Sequence, residues 1–248
     1  MRYIAGRVLK PFEIVRILAE PALPHLYAQA RSDLKTLVRP GSRVLDVGGR
    51  RSPYTVGLPA RITIYDRPRE SAIQHKLGLG LDDDVLATVR RRRSNVDDIV
   101  FGDMTRCELP SESFDGVISV EVIEHVREDD AFVSHIARVI RRDGWAYFTT
   151  PNGDAIENTN PDHVRHYRRA ELAALLARHF ADVTVTYGVA TTDNWQRGLR
   201  SFDLRHPVTL ARTILGNLRN HRESRDVAEH MAGTAHLFAI ARRPLGHA

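Results

Sequence analysis

The sequence predicts an α/β protein whose mostly parallel sheet is covered by helices on both faces. Three observations carry this reading. Short β-branched runs recur along the chain and alternate with stretches of helical apolar spacing. A glycine pair directly follows the first of those runs, as in the first half of a strand–turn–helix–strand unit. The balance of 42% hydrophobic and 27% charged residues over 248 positions is that of an ordinary globular chain with a substantial core.

Each element follows in order. Apolar residues at helical spacing over 12–38, broken at Pro21 and Pro24, predict two short helices. They form an N-terminal helical cap over residues 1–40, ahead of a main domain at 41–248. Arg43–Val47 is a short buried strand leading into Gly48-Gly49, and Ser52 before Pro53 reads as the cap and first residue of a helix. Ile62–Asp66 is a second strand ending in a carboxylate. After a long polar connection Ile99–Asp103 is a third, and Phe114–Val120 a fourth. A helix carrying Phe132, Val133, Ile136, Val139 and Ile140 runs on to near Gly144. Trp145–Thr150, closed by Pro151, is a fifth strand. A helix at 170–180 feeds Val183–Tyr187, and His236–Ala241 is the last strand. The stretch at about 189–232 is a polar insert with one amphipathic helix near 208–218.

Composition narrows the function classes. A single cysteine, Cys107, excludes an internal disulfide and a cysteine-based zinc cluster and points to a reducing compartment. The N-terminal twenty residues carry charges every few positions, unlike a signal peptide, and no stretch is long enough to cross a bilayer, so the expected location is cytoplasmic without membrane association. The net charge of +5 comes from arginines scattered along the chain, with one local run, Arg90 to Arg93, that lacks interleaved aromatics. That run reads as a solvated helix end, and nucleic acid is not the expected partner.

Ligands of open α/β sheets bind beyond the carboxyl ends of the central strands. Gly48 and Gly49 permit close backbone approach there. Asp66, with Arg67 beside it, ends the second strand where a carboxylate can accept both hydroxyls of a ribose. Asp103 and Met104 end the third, suited to an adenine amino group and ring face.

Taken together, VLDVGG, ITIYD, FGDM, LPSESFDGVISVEVIEHV, ARVIRRDGWAYFTTPN and HLFAIARR resemble the class I methyltransferases that use S-adenosylmethionine (SAM). The resemblance covers roughly residues 40–188 and the last strand. It implies a Rossmann-like seven-stranded sheet with an antiparallel final strand, supplied by Thr234–Arg242, and SAM contacts from Asp46, Gly48, Asp66, Asp103, Met104 and the region of Glu121. Where the family usually has a third glycine, this chain has Arg50, Arg51 and Ser52. The same departure argues against a nicotinamide dinucleotide, whose pyrophosphate needs the fuller glycine pattern.

Glu121, Glu124 and His125 stand at i, i+3 and i+4, one face of a helical turn. Two carboxylates and an imidazole make a mixed oxygen and nitrogen donor set for Mg²⁺ or another divalent cation. The pattern looks like that of the ubiquinone-biosynthesis O-methyltransferases; packing and cofactor contact are the other use of such a trio. His166, ahead of His163 and His125, is the expected base for a hydroxyl proton. The insert offers Thr191, Thr192, Asp193, Asn194, Trp195, Gln196 and Arg197, a polar wall with one aromatic face that suits a saccharide. The expected function is therefore O-methylation of a saccharide or other polyhydroxylated small molecule, as in sugar O-methyltransferases, by a chain for which a homodimer is one arrangement. Methylation of RNA, or of a phenol or catechol in quinone biosynthesis, is the alternative. The Ser119-Val120-Glu121 sequence lacks the Asn/Asp-Pro-Pro-aromatic motif of base N-methylation.

Overall fold

The structure is a computed structural model that describes residues 3–4, 6–68, 83–198 and 206–246. Parts of the long connection (69–82) and of the insert (199–205) fall outside the described residues. Seven strands form one sheet: β1 Arg43–Val47, β2 Arg61–Asp66, β3 Val96–Phe101, β4 Phe114–Val120, β5 Ile140–Pro151, β6 Phe180–Ala190 and β7 Thr234–Pro244. Their spatial order is β3-β2-β1-β4-β5-β7-β6. The first five are mutually parallel, and β7 runs antiparallel to both β5 and β6.

Alternation along the central strands builds the two halves of the core. Leu45, Val117 and Phe148 face one side, against Phe132 and Ile136 of α4 (Asp129–Val139) and Leu172 and Leu176 of α5 (Arg169–Ala177). Their neighbours Val44, Ile118 and Tyr147 face the other, against Leu26 and Leu34 of α2 (His25–Leu37) and Val89 of α3 (Asp83–Arg92). The two N-terminal helices appear as α1 (Pro11–Leu18) and α2, separated by a 3₁₀ turn at Glu20–Ala22. Arg31 and Lys35 of α2 tie back to the Glu20 carboxylate at 2.7 and 2.5 Å.

Three local expectations are corrected. No α-helix starts at Ser52: Gly49–Arg51 makes a 3₁₀ turn, and residues 52–60 run on as turns and bends. Pro53 and Pro59 remove backbone donors there, and the Ser52 hydroxyl donates to the Tyr54 hydroxyl rather than capping a helix. The carbonyls that a helix would have used are taken by buried side chains. Arg31 donates to Tyr54 and Val56, and Asn95 to Thr55 and Leu58. Second, α4 ends at Val139. Phe114 pairs with Ile140 but Gly116 with Trp145, so Arg141, Arg142 and Asp143 bulge out of β5 instead of extending the helix. Third, the solvated helix end expected at Arg90–Arg93 forms in the last turn of α3 for Arg90, Arg91 and Arg92, but Arg93 departs from it, turning inward to be buried.

The insert contains α6 (Asp193–Gly198) and α7 (Pro207–Glu223). Asn217 donates to the carbonyl of Ala22, and His221 pairs with His25 at 2.7 Å, so α7 seals the N-terminal helices. Among the described residues no helix is long and apolar enough to cross a membrane.

Candidate active site

The carboxyl ends of β1–β4 surround a cavity of about 140 Å³, lined among others by Gly48, Asp66, Arg67, Asp103, Met104 and His125. Gly48 has φ +72°, and a Cβ there would lie 2.8 Å from Val122; at Gly49 a Cβ would lie 2.2 Å from the Asp46 carboxyl carbon. Asp46 is wholly buried under this loop and is not part of the cavity wall. Burial pushes its pKa up to about 6, against the pull of Arg93 and of the nearby Ser52 and Thr55 hydroxyls. Asp66 accepts from the Arg67 backbone N–H at 2.8 Å and from Arg50 at 2.6 Å. Asp103 accepts from the Thr105 N–H and hydroxyl on one oxygen and from Arg67 on the other, at 2.6 Å. Burial opposes the Asp103 carboxylate, but Thr105 and Arg67 hold its pKa below the ordinary value.

On the other side of His125 lies a cluster of titratable groups. The expected helical face of Glu121, Glu124 and His125 does not form. Glu121 has φ +54°, and only Ile123–His125 makes a 3₁₀ turn. Glu121 turns toward β5 and β7, accepting from Thr149 at 2.9 Å and from His236 at 3.2 Å. Burial works against its charge, but His236 and Thr149 hold its pKa low. Glu124, 1% exposed, has both carboxylate oxygens without a partner among the described residues. Burial and the Glu121 charge push its pKa well up.

The loop after β5 brings His163 to Glu124. Val164 N–H donates to the Glu124 carbonyl at 2.7 Å, and Arg165 and Tyr167 both donate to Asp129. One ligand atom each of Glu124, His125 and His163 lies within 4.8 Å of the others. His163 thus takes the place expected for Glu121. Backbone carbonyls set the tautomers. His125 Nδ1 donates to Asp162 at 2.8 Å and His166 Nδ1 to Ile156 at 3.0 Å. Neutral His166 therefore offers Nε2 as an acceptor, His163 Nδ1 donates to it at 2.9 Å, and His163 Nε2 keeps a lone pair. Burial, with His125 and His166 nearby, lowers the His163 pKa. His166, the expected base, has both ring nitrogens engaged, by Ile156 and by His163, whereas His163 has its Nε2 open.

Residues 66–148 match the family model of a methyltransferase domain. Over those residues the chain is similar to methyltransferase domains, and its sheet has the class I methyltransferase fold. The match begins at Asp66, so the glycine loop with Arg50 lies outside it. A probable S-adenosylmethionine-dependent methyltransferase of Mycolicibacterium smegmatis is 36% identical over 135 residues, covering 52% of this chain and 51% of that protein. The ubiquinone biosynthesis O-methyltransferase of Hahella chejuensis is 30% identical over 123 residues, covering 46% and 44%. The chain spans about half the length of the curated relatives it matches. The fold is shared with Haemonchus contortus phosphoethanolamine N-methyltransferase 2, solved with S-adenosylhomocysteine and phosphomonomethylethanolamine. The TM-score is 0.58 at 16% identity, over 94% of this chain and 58% of that one. It is shared equally with the [4+2]-cyclase SpnF, at TM-score 0.56 and 15% identity over 97% and 98%, so the fold alone does not name a reaction.

The strand-end residues Asp66, Asp103 and Met104 that the sequence singled out do line one cavity, whereas the contacts of Arg50 and His236 and the place of His163 beside Glu124 were not anticipated. Arg50 had a signal, a charge where the family pattern has glycine. His236 had none, lying 115 positions from Glu121. The insert's polar wall is largely used inside the molecule. Thr192 and Asn194 both donate to Glu223, and Trp195 packs half-buried on the core.

Proposed function

We propose that this domain transfers a methyl group from SAM to a hydroxyl of a saccharide or similarly polyhydroxylated small molecule, with a divalent cation assisting. SAM, when bound, supplies a methyl group on a sulfonium that is already a good leaving group. The residues present fit it: Gly48-Gly49 admit close backbone approach, Asp66 would hold the ribose hydroxyls, and Asp103 with Met104 the adenine end. Each Asp66 oxygen accepts one donor, from Arg50 and from the Arg67 N–H, and keeps a lone pair for a ribose hydroxyl.

The buried Glu124 carboxylate, with neither oxygen partnered among the described residues, is the observation that carries the cation. A charge so placed is costly without a counter-ion. His125 and His163 present Nε2 lone pairs beside it, each backed by an Nδ1–H donor to a fixed acceptor, the outer-shell pattern of metal-ligating histidines. Two imidazoles and one carboxylate suit Mn²⁺ or Zn²⁺ better than Mg²⁺, which prefers oxygen. A cation held there would lower the pKa of an acceptor hydroxyl, and Glu121, His236 and Thr149 would orient the acceptor's remaining polar groups. That polarity supports a polyhydroxylated acceptor. The likeness to a ubiquinone biosynthesis O-methyltransferase supports a second reading, a phenolic acceptor.

Labelled methyl transfer from SAM to partly methylated sugars and to catechols, before and after EDTA dialysis with Mn²⁺ or Mg²⁺ add-back, tests this. We expect transfer to a sugar hydroxyl that chelation abolishes and Mn²⁺ restores. Unchanged turnover after chelation removes the cation, and transfer to catechols alone replaces the acceptor class.

A further inference from the structure

The insert holds a second concave surface, between α6 and α7. A cavity of about 370 Å³ is lined by Asn194, Arg197, Arg212, Leu215, Gly216 and Arg219. Arg212, Leu215, Gly216 and Arg219 stand at i, i+3, i+4 and i+7, so one face of α7 makes a wall with a guanidinium at each end. Arg197 enters from α6. Gly216 sets the floor: a Cβ there would lie 3.0 Å from the Asn194 carbonyl and 3.1 Å from the Arg197 Cβ, so any side chain at the crossing would push the two helices slightly apart.

The charge of this cavity is not balanced from within. Elsewhere Arg31, Arg50, Arg61, Arg67, Arg141, Arg165, Arg169, Arg178 and Arg243 each meet a carboxylate. Among the described residues none pairs with Arg197, Arg212 or Arg219. A neighbouring carboxylate, Glu223, lies one turn beyond Arg219 and has both oxygens engaged, by Thr192 and by Asn194, at 2.6 Å each. Among the described residues, three guanidiniums face one carboxylate, Glu223, whose charge acts on Arg219, so the concavity keeps a net positive potential. Planar guanidinium forks match the paired oxygens of a phosphoryl group.

We propose that this cavity is a binding site for a phosphoryl group, separate from the methyl-transfer site. Leu215, 51% exposed at the cavity, would lie against the apolar or sugar portion of the molecule carrying that group. The phosphoryl group could belong to a soluble phosphorylated compound or to a lipid headgroup, since both present the same oxygens.

Equilibrium dialysis with labelled pyrophosphate, alongside sedimentation with phosphatidylglycerol-containing and pure phosphatidylcholine vesicles, tests the site. We expect saturable pyrophosphate binding that falls roughly tenfold or more in Arg212→Gln/Arg219→Gln, since hydrogen bonds to charged groups are the strong ones. Arg212→Lys/Arg219→Lys should recover only part of it, because charge remains but the fork is lost. Arg90→Gln/Arg91→Gln on α3 should bind as the parent does. Sedimentation with phosphatidylglycerol vesicles that needs Arg212 and Arg219 would assign the phosphoryl group to a lipid, and its absence, with pyrophosphate still bound, to a soluble compound. Loss of fold would show in binding of S-adenosylhomocysteine, which these substitutions should leave unchanged. Absence of saturable pyrophosphate binding in the parent, or an equal loss in the α3 variant, overturns the site whether or not methyl transfer is found.

Discussion

At His163 the direction of every hydrogen bond is imposed from outside the ring. The Ile156 carbonyl can only accept, so His166 must donate to it, and the constraint passes through His166 Nε2 to His163 Nδ1. His166→Phe removes that acceptor and frees His163 to rotate or change tautomer. We expect a roughly 10–100-fold loss of Mn²⁺ affinity, as for other outer-shell substitutions, with binding of S-adenosylhomocysteine unchanged. His166→Gln, whose amide oxygen can still accept, should restore most of it; isothermal titration with Mn²⁺ reads both. Equal Mn²⁺ binding by the Phe variant would remove His166 from this role. Asp66 and Asp103 were legible in the sequence because a carboxylate at a strand end is a local signal. Glu121 was misplaced because its spacing assumes helical backbone, whereas its φ of +54° turns the side chain toward β5 and β7.

Among the elements, α2 and α7 meet through paired imidazoles. His221 Nε2 donates to the Pro21 carbonyl, which leaves its Nδ1 to accept from His25. Burial, with His221 alongside, pushes the His25 pKa down to about 4 from 6.5. A histidine whose folded-state pKa lies below its unfolded value contributes its full stability above pH 6.5, lost as pH falls toward 4. The shift corresponds to roughly 3 kcal/mol. Melting temperature should therefore fall across this window, and His25→Phe should flatten the dependence; an identical slope in the variant would show that other groups set it. The same helix shows what sequence patterning could not carry. Its place in order was legible from apolar spacing. That Arg31 on α2 would satisfy the carbonyls of 52–60 and stand in for a missing helix was not, because the partners lie 23 and 25 positions apart and the signal at Ser52-Pro53 pointed the other way.

Over the whole molecule, one buried charge ties the helical N-terminus to the glycine loop. Arg93 donates to the Thr55 hydroxyl at 2.7 Å, Thr55 donates to Asp46 at 3.0 Å, and the charges of Asp46 and Glu13 both favour the buried guanidinium. Lys10 meanwhile reaches the carbonyls of Arg90 and Arg93. Removing one member of such a set leaves the others buried without compensation. Arg93→Met should destabilise by about 3–5 kcal/mol in urea denaturation, and Asp46→Asn added to it should recover part of the loss. Strictly additive losses would mean that the two do not interact. The succession of strands was legible because each parallel strand carries its own apolar run, whereas the antiparallel last strand was expected only from the family resemblance and the spatial order is a finding of the structure. Arg93 was not legible, since a run of four arginines gives no sign that its last member turns inward.

The pairing of Arg50 with Asp66 and of Arg67 with Asp103 means that no nucleoside meets a bare carboxylate on arrival. A nucleoside there shares or competes for oxygens that guanidiniums already hold, and dissolved ions loosen the exposed Arg67 latch on Asp103 more than they disturb an uncharged adenine amino group. Added salt, which ordinarily weakens the capture of a charged ligand, should here ease admission of the uncharged nucleoside end.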